Sequence, residues 1–481
     1  MVGPDFQVPP SPPVGTYLPP SVAAQNAAAA DVKPGAHLSG DWWHMLGSRR
    51  LNSLIEMGLV HNADLAAAEA AIQVAEANAL ALRGGFWPTI KAEWNSQRER
   101  VPTRTLSSNN SEGKSVYNLH TAQVSVAYVA DVWGGLRRQV EGAEAQAEAL
   151  AMQREAVAIT LAANIALAAI QQASFDGQVD VTRRLITAQQ DLLNILRRQQ
   201  AAGQIAAADV VVQETALAQT KLLLPPLERQ RDQQANVLAV LTGRLPAQAG
   251  REPFSLSTFR AVRQVPVSLP ADLVRQRPDI RVAEANMRAA NAQIGVAIAN
   301  RLPQLTLSGN GGSTADLVSR LFSPGTWLWM IAGNAVQTVF DGRTLAYKQA
   351  AAEHAFVQQT AQYKSVVLVA FQNVADVLLA LEADSKSIAA AREAEAAAGR
   401  SLDLVRAQLS QGQISLPILL TAQQAYLQTS LARVQAQASR LANTVALYLA
   451  LGGGWWNRPA AAVQAAVAGD RVDHVIKTVA K

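Results

Sequence analysis

The chain has 481 residues, 49% of them hydrophobic yet only 5% aromatic and 16% charged, with a formal net charge of +5 and no cysteine. Alanine carries much of the apolar count, and side chains that small suit close helix-to-helix packing more than a thick aromatic core. The missing cysteine excludes disulfides and thiolate chemistry. No basic stripe interleaved with aromatics is present, so no nucleic-acid partner is expected.

Residues 1–40 hold Pro9-Pro10, Pro12-Pro13 and Pro19-Pro20 and read as extended, polyproline-like chain. The Met1-Val2-Gly3-Pro4-Asp5-Phe6 start reads as mature sequence, from which processing has removed any signal. A first repeat is expected over 41–245. Asp41-Trp42-Trp43 opens helix to about Arg83. Strands are expected at 88–98 and 117–130, where Ile90, Ala92 and Trp94 alternate with Lys91, Glu93 and Asn95, and Val124 and Val126 with Gln123 and Ser125. A polar loop at 101–117 joins them. From 136 to 200 no proline occurs, so one helix of roughly 100 Å fits. Leu185, Leu192 and Leu196 suggest a coiled-coil seam along it. Gly203 reads as a left-handed reversal, and Pro225-Pro226 must kink or break the return arm.

A linker is expected at 246–270 and a second repeat at 271–451. Its strands fall at 303–312 and 326–340, joined by a loop at 312–325. Its long helix ends at a second reversal, Gly412, and the return ends at Gly452-Gly453-Gly454, before a tail at 452–481. The glycines of Arg197-Arg-Gln-Gln-Ala-Ala-Gly203 and Arg406-Ala-Gln-Leu-Ser-Gln-Gly412 are 412 − 203 = 209 apart. The fold class is thus mainly α with a small β part, in two tandem repeats, each a β-hairpin plus a long helical hairpin.

No run reaches the ~18 apolar residues of a membrane-spanning helix; the best, 156–170, contains Thr160 and Asn164. The strands lead elsewhere. Trp87, Trp94, Trp133, Trp327 and Trp329 lie in or beside them, which fits either an aromatic girdle at a membrane interface or ordinary core tryptophans. In hydrocarbon no sheet edge stays open, and four strands cannot close on themselves. If the strands face lipid, several chains must pool them, and three chains give twelve. Glutamine pairs 171–172, 189–190 and 199–200 along the first long arm fit a water-filled tube with amide-lined walls, or a solvated coiled-coil rod.

Val2-Gly-Pro-Asp-Phe6, Arg275-Gln-Arg-Pro-Asp-Ile-Arg281, Ala292-Gln-Ile-Gly-Val-Ala297, Phe340-Asp-Gly-Arg343, Ala370-Phe-Gln-Asn-Val-Ala-Asp376 and Leu449-Ala-Leu-Gly-Gly-Gly-Trp455 together resemble the outer-membrane channel of tripartite efflux pumps. The likeness is to the lipoprotein branch partnered with resistance-nodulation-division transporters, and it spans nearly the whole chain. It implies a homotrimer in outer-membrane lipid, a 12-stranded β-barrel continuous with an α-helical barrel in the periplasm, and an acylated cysteine ahead of Val2. It implies an equatorial belt from about 171–182, 244–268, 383–395 and the C-terminal tail. It also implies an inner-membrane transporter and a periplasmic adaptor that docks at the tips, carried over here to Arg197, Gly203, Arg406 and Gly412. The same residues also fit plain helix-end chemistry. Asp209, two turns into the return helix, is a gate candidate or an ordinary exposed acid. Many relatives carry a carboxylate near Leu416-Pro417, so Leu416 marks a partly apolar constriction. The expected function is passive export of drugs and other small toxic solutes. A type I secretion channel and a non-pore coiled-coil scaffold are the alternatives. No nucleophile elbow, phosphate loop, metal-type histidine spacing or cofactor motif is found, so no cofactor and no enzymatic activity are expected.

Overall fold

The computed structural model describes residues 1–19, 32–34, 38–100, 116–260, 265–267 and 270–458. Most of the polar loop expected at 101–117, parts of the 1–40 segment and of the 246–270 linker, and the tail from 459 lie outside these residues. The chain divides into two compact units. One comprises Met1–Pro9, Ala70–Ala151 and Val282–Lys364; the other Pro10–Glu69, Met152–Arg281 and Ser365–Lys481.

In chain order the elements are β1 (Val32–Pro34), α1 (Arg49–His61), α2 (Ala63–Gly84), β2 (Thr89–Arg100), β3 (Val116–Ala130), α3 (Gly135–Ala201), α4 (Ala207–Leu222) and α5 (Leu224–Leu241). They continue as β4 (Val265–Val267), α6 (Pro270–Gln276), α7 (Pro278–Ala299), β5 (Gln304–Ala315), β6 (Trp327–Val336), α8 (Thr344–Ser410) and α9 (Leu416–Ala450). The long helices of the two repeats match in length. Helices α2 and α7 have 22 residues each, and α3 and α8 have 67 each. At 1.5 Å per residue the latter two are about 100 Å long. The return is α4 and α5, of 16 and 18 residues with Leu223 between them, against the single 35-residue α9. Pro225 and Pro226 sit in the first turn of α5, where no intrahelical N–H is needed. They break the first return where the second runs straight.

Helix ends repeat as well. At the first reversal Gly203 N–H donates to Gln200 O and Gln204 N–H to Gln199 O; at the second, Gly412 N–H donates to Leu409 O and Gln413 N–H to Gln408 O. Both glycines have φ of 71°, so each reversal is the same two-bond glycine cap. At the starts of the long helices, Asp131 accepts from the Leu136 and Arg137 N–H groups and Asp341 from that of Leu345. Burial pushes the Asp131 carboxyl up, but those N–H groups and the Arg137 guanidinium outweigh it and hold it below the usual carboxylate range.

The seam of the first arm departs from the spacing read in the leucines. Leu192 is only half-buried, and Leu193 takes its place. Ser174, Leu185 and Leu196 are buried 11 residues apart, as are Gln178 and Gln189, and Thr182 and Leu193. In α9 the same interval separates Leu419, Ser430 and Leu441, and Gln423, Val434 and Val445. Eleven residues in three turns is about 3.67 per turn, slightly above the free helix, so these helices pack nearly straight instead of winding left-handedly. The glutamine pairs divide. Gln172 and Gln189 are buried between helices, while Gln171 and Gln200 are exposed. Neighbouring residues project about 100° apart, so a pair cannot line one wall.

In the first unit the N-terminal residues lie along the start of α3. Val2 N–H donates to Trp133 O at 3.0 Å. Arg138, whose side chain is 2% exposed, donates to Val2 O, Asp5 and Glu141 at 3.2, 2.8 and 2.7 Å. In the second unit Trp42 packs on Tyr448 with ring centroids 5.2 Å apart. Arg277 donates to Ala450 O at 2.7 Å and pairs with Asp279 at 2.7 Å. Pro278 and Asp279 open α7.

Candidate functional site

The sheet of the first unit has strand order β2-β3-β5-β6, all neighbours antiparallel. Its register sorts the side chains into two faces. One face carries the rows Ile90–Val126–Gly309–Ile331, Ala92–Val124–Gly311–Trp329 and Trp94–Ala122–Ser313–Trp327. The other carries Lys91–Ser125–Asn310–Met330, Glu93–Gln123–Gly312–Leu328 and Asn95–Thr121–Thr314. On it Gln123 donates to Glu93 at 3.0 Å, and the Thr121 and Thr314 hydroxyls hydrogen-bond at 3.1 Å. The apolar face stays open: Ile90, Trp94, Trp329 and Ile331 are 69, 58, 69 and 81% exposed. Among the described residues β2 and β6 are edges, paired on one side only.

Four of the five tryptophans are free. Trp94 and Trp327 share one register row, with Trp329 in the next, and the exposed Trp87 precedes the opposite end of β2. Trp87 lies two residues before Thr89, the first of β2, and Trp94 is five residues further along the strand, roughly 17 Å from Thr89. Trp133 differs. It is half-buried, and its indole N–H donates to Pro303 O at 2.7 Å, tying the end of β3 to the start of β5.

At the helical tips in the second unit, Leu193, Leu196, Val210, Leu217, Leu402, Leu416, Leu419 and Ala422 form one apolar cluster. Leu416 is 6% exposed within it. Its place on the inner stripe of α9 packs it with residues of α3, α4 and α8. Asp209 is half-buried in the first turn of α4, closer to the reversal than two turns. Arg197 bridges to Glu214 on the return helix at 2.7 Å, whereas Arg406 approaches only Asp403 of its own helix, at 3.8 Å. Nothing lies within 4 Å of where a side chain would grow from Gly203 or Gly412. Sequence reasoning missed an amide layer next to this cluster. Gln213 donates to Gln189 O at 3.0 Å and Gln189 to Gln423 at 3.1 Å, all three buried. Its signal was glutamine standing where the 11-residue seam calls for an apolar side chain.

The sequence profile described as Outer membrane efflux protein matches residues 54–244 and 269–453. The chain belongs to the outer membrane efflux protein family. The probable efflux pump outer membrane protein TtgC of Pseudomonas putida is 29% identical over 467 residues, 96% of this chain and 94% of that protein. The outer membrane protein OprJ of Pseudomonas aeruginosa is 27% identical over 449 residues, 90% of each. Among solved structures, the open state of the Neisseria gonorrhoeae MtrE outer membrane channel matches with a TM-score of 0.81 at 25% identity, over 94% of this chain and 98% of that one. The Campylobacter jejuni CmeC outer membrane channel matches with a TM-score of 0.87 at 18% identity, over 96% and 97%. This efflux-family chain is an outer-membrane channel that extends into the periplasm. The scaffold without a pore is set aside, and the family is one of channels rather than enzymes.

Proposed function

We propose that three copies of this chain join β2 of one to β6 of the next, closing a twelve-stranded barrel continuous with a periplasmic tube of long helical arms. The reading rests on one observation: an open apolar face flanked by two unpaired strand edges. In hydrocarbon each unpaired backbone group costs several kcal/mol, so these edges need partners. Trp94, Trp327 and Trp329 would lie at one interface and Trp87 at the other, with Trp133 bracing the inner end. The polar face, with Lys91, Glu93 and Gln123, would line water. Segments 171–182, 244–260 and 383–395 would form the belt. Two of its ties are Asp176 accepting from Phe254 N–H and Asn443 donating to Asp384.

The duct passes small toxic solutes without selecting among them. Relatives named for antibiotic, toluene and pyoverdine export carry chemically unlike cargo. Turnover is supplied by an inner-membrane transporter, and an adaptor meets the tips at Arg197, Gly203, Arg406 and Gly412, with Asp209 facing the aperture. A chain without cysteine allows a direct test. Single cysteines at Ala92 and at positions along β6, from Leu328 to Ala335, are paired and oxidised in membranes. Trimer-sized bands in denaturing gels at one β6 register are expected. Monomers at every register, together with monomer mass in detergent, would refute the barrel.

A further inference from the structure

The second unit holds a cavity of about 720 Å3. It opens between α3, α5, α8, α9 and residues 251–257. Arg183, Arg184, Arg231, Arg251, Arg406 and Arg433 line it, against three carboxylates, Asp176, Asp180 and Glu395. Each of these carboxylates is engaged: Asp176 accepts from Phe254 N–H at 2.8 Å, Asp180 pairs with Arg184, and Glu395 with Arg433 at 2.5 Å. Arg183 and Arg231 turn to Glu228 and Asp232, which do not line the cavity. Arg406 has only the 3.8 Å approach to Asp403, whose side chain is 80% exposed. Arg251 is exposed and has no partner among the described residues.

Six guanidiniums against three carboxylates leave the wall formally three charges positive. A concave wall of one sign focuses its field on the space it encloses. Burial pushes the Asp176 carboxyl above the usual carboxylate range. A second observation is independent of charge. Ser430 is 1% exposed, lines the cavity, and its hydroxyl has no hydrogen-bond partner among the described residues. A buried hydroxyl left unpaired is costly, and a ligand group would satisfy it. Buried Phe254 and half-buried Tyr426 add apolar surface. The volume is that of a small-molecule site.

We propose that this cleft binds a multiply charged anion of small-molecule size, a phosphate or carboxylate compound. Arg251 and the Ser430 hydroxyl are its free donors, and Arg406 contributes from α8. Because the lining draws on both repeats, an occupied cleft links α3 and α5 of the first repeat to α8 and α9 of the second. In the test, full-length protein in detergent is titrated calorimetrically with pyrophosphate and, separately, with citrate, which tells phosphate from carboxylate chemistry. One saturable site per chain is expected for at least one probe. Losing a charge-assisted hydrogen bond should weaken it roughly 10-fold in Arg251→Glu, and Ser430→Ala should weaken it by a smaller factor. Arg392→Glu, on α8 outside the cavity, should leave binding unchanged. Size-exclusion profiles report folding of each variant, with Arg251→Gln as the milder replacement. Absence of saturation with both probes, or equal weakening by Arg251→Glu and Arg392→Glu, overturns the proposal.

Discussion

The two long arms have the same length and the same glycine cap, yet they are held differently. In α3, 67% of the most apolar stretch is buried within the chain; in α8, only 28%. The first arm is tied along its length. Arg138 fastens it to the N-terminal residues, Gln189 to α4 and α9, and Arg197 to Glu214. The equivalent of Arg138 at the 209-residue offset is Tyr347, 66% exposed. The equivalent of Gln189 is Ala398. Duplication therefore preserved the backbone plan but not the burial: the second arm has its own ties, Glu395 to Arg433 and Asp384 to Asn443, yet encloses less of its apolar stretch within the chain.

The tips bear the largest expected effect. Gly203→Glu and Gly412→Glu each force a left-handed residue to carry a side chain, at a backbone cost of about 1–2 kcal/mol. The trimer should therefore survive. The expected result is loss of drug resistance in a complemented deletion strain with normal membrane levels of protein. Resistance at the parental value would remove the docking role. A larger loss at Gly412 than at Gly203 would show that the less tied arm carries the contact.

Next comes the N-terminal tie. Replacing Asp5 and Glu141 by alanine leaves a buried guanidinium with only carbonyl acceptors. Breaking a buried pair in this way costs about 3–5 kcal/mol, less here because Asp5 itself is exposed. A lower thermal midpoint and earlier proteolysis near residues 1–9 are expected; Tyr347→Ala should change neither. Equal effects would mean that the arms are held alike.

The amide layer follows. Gln189→Leu strands the Gln423 side-chain oxygen, while Gln213 keeps its bond to the backbone carbonyl of residue 189, and should destabilise by about 1–3 kcal/mol; replacing both Gln189 and Gln423 by leucine should recover or exceed wild-type stability. Chemical denaturation measures both. Last, Glu214→Gln removes a surface bridge worth about 0.2–1 kcal/mol, and Asp403→Asn should lie within error. A larger Asp403 effect would show that Arg406 relies on it more than the 3.8 Å separation implies.

Much of the plan could be read along the chain because it is local. A helix of 67 residues needs only a long run without proline, and a reversal needs a residue tolerant of positive φ, which Gly203 and Gly412 supply. Alternation marked three of the four strands; 327–339 is apolar enough to be ambiguous and is placed by its flanks, Gly325 and Asp341-Gly342. The errors have local causes too. Three leucines fit a seven-residue spacing and an eleven-residue one equally well until the buried partners are known, so Leu193 was passed over for Leu192. How deeply Leu416 is buried was equally out of reach, because it depends on which helices face it.

Sequence alone determined the repeat, the element lengths, the reversals and the two-faced strands, since each depends on residues within a few turns of one another. Tertiary structure alone decided that β3 lies beside β5, with Tyr128 opposite Leu307, and hence which strand edges stay open. It also decided which glutamine of each pair is enclosed, and that arginines from α3, α5, α8, α9 and the 251–257 stretch meet around one cavity. These are meetings of residues far apart in the chain, and they are settled by packing and register, to which no local pattern is sensitive.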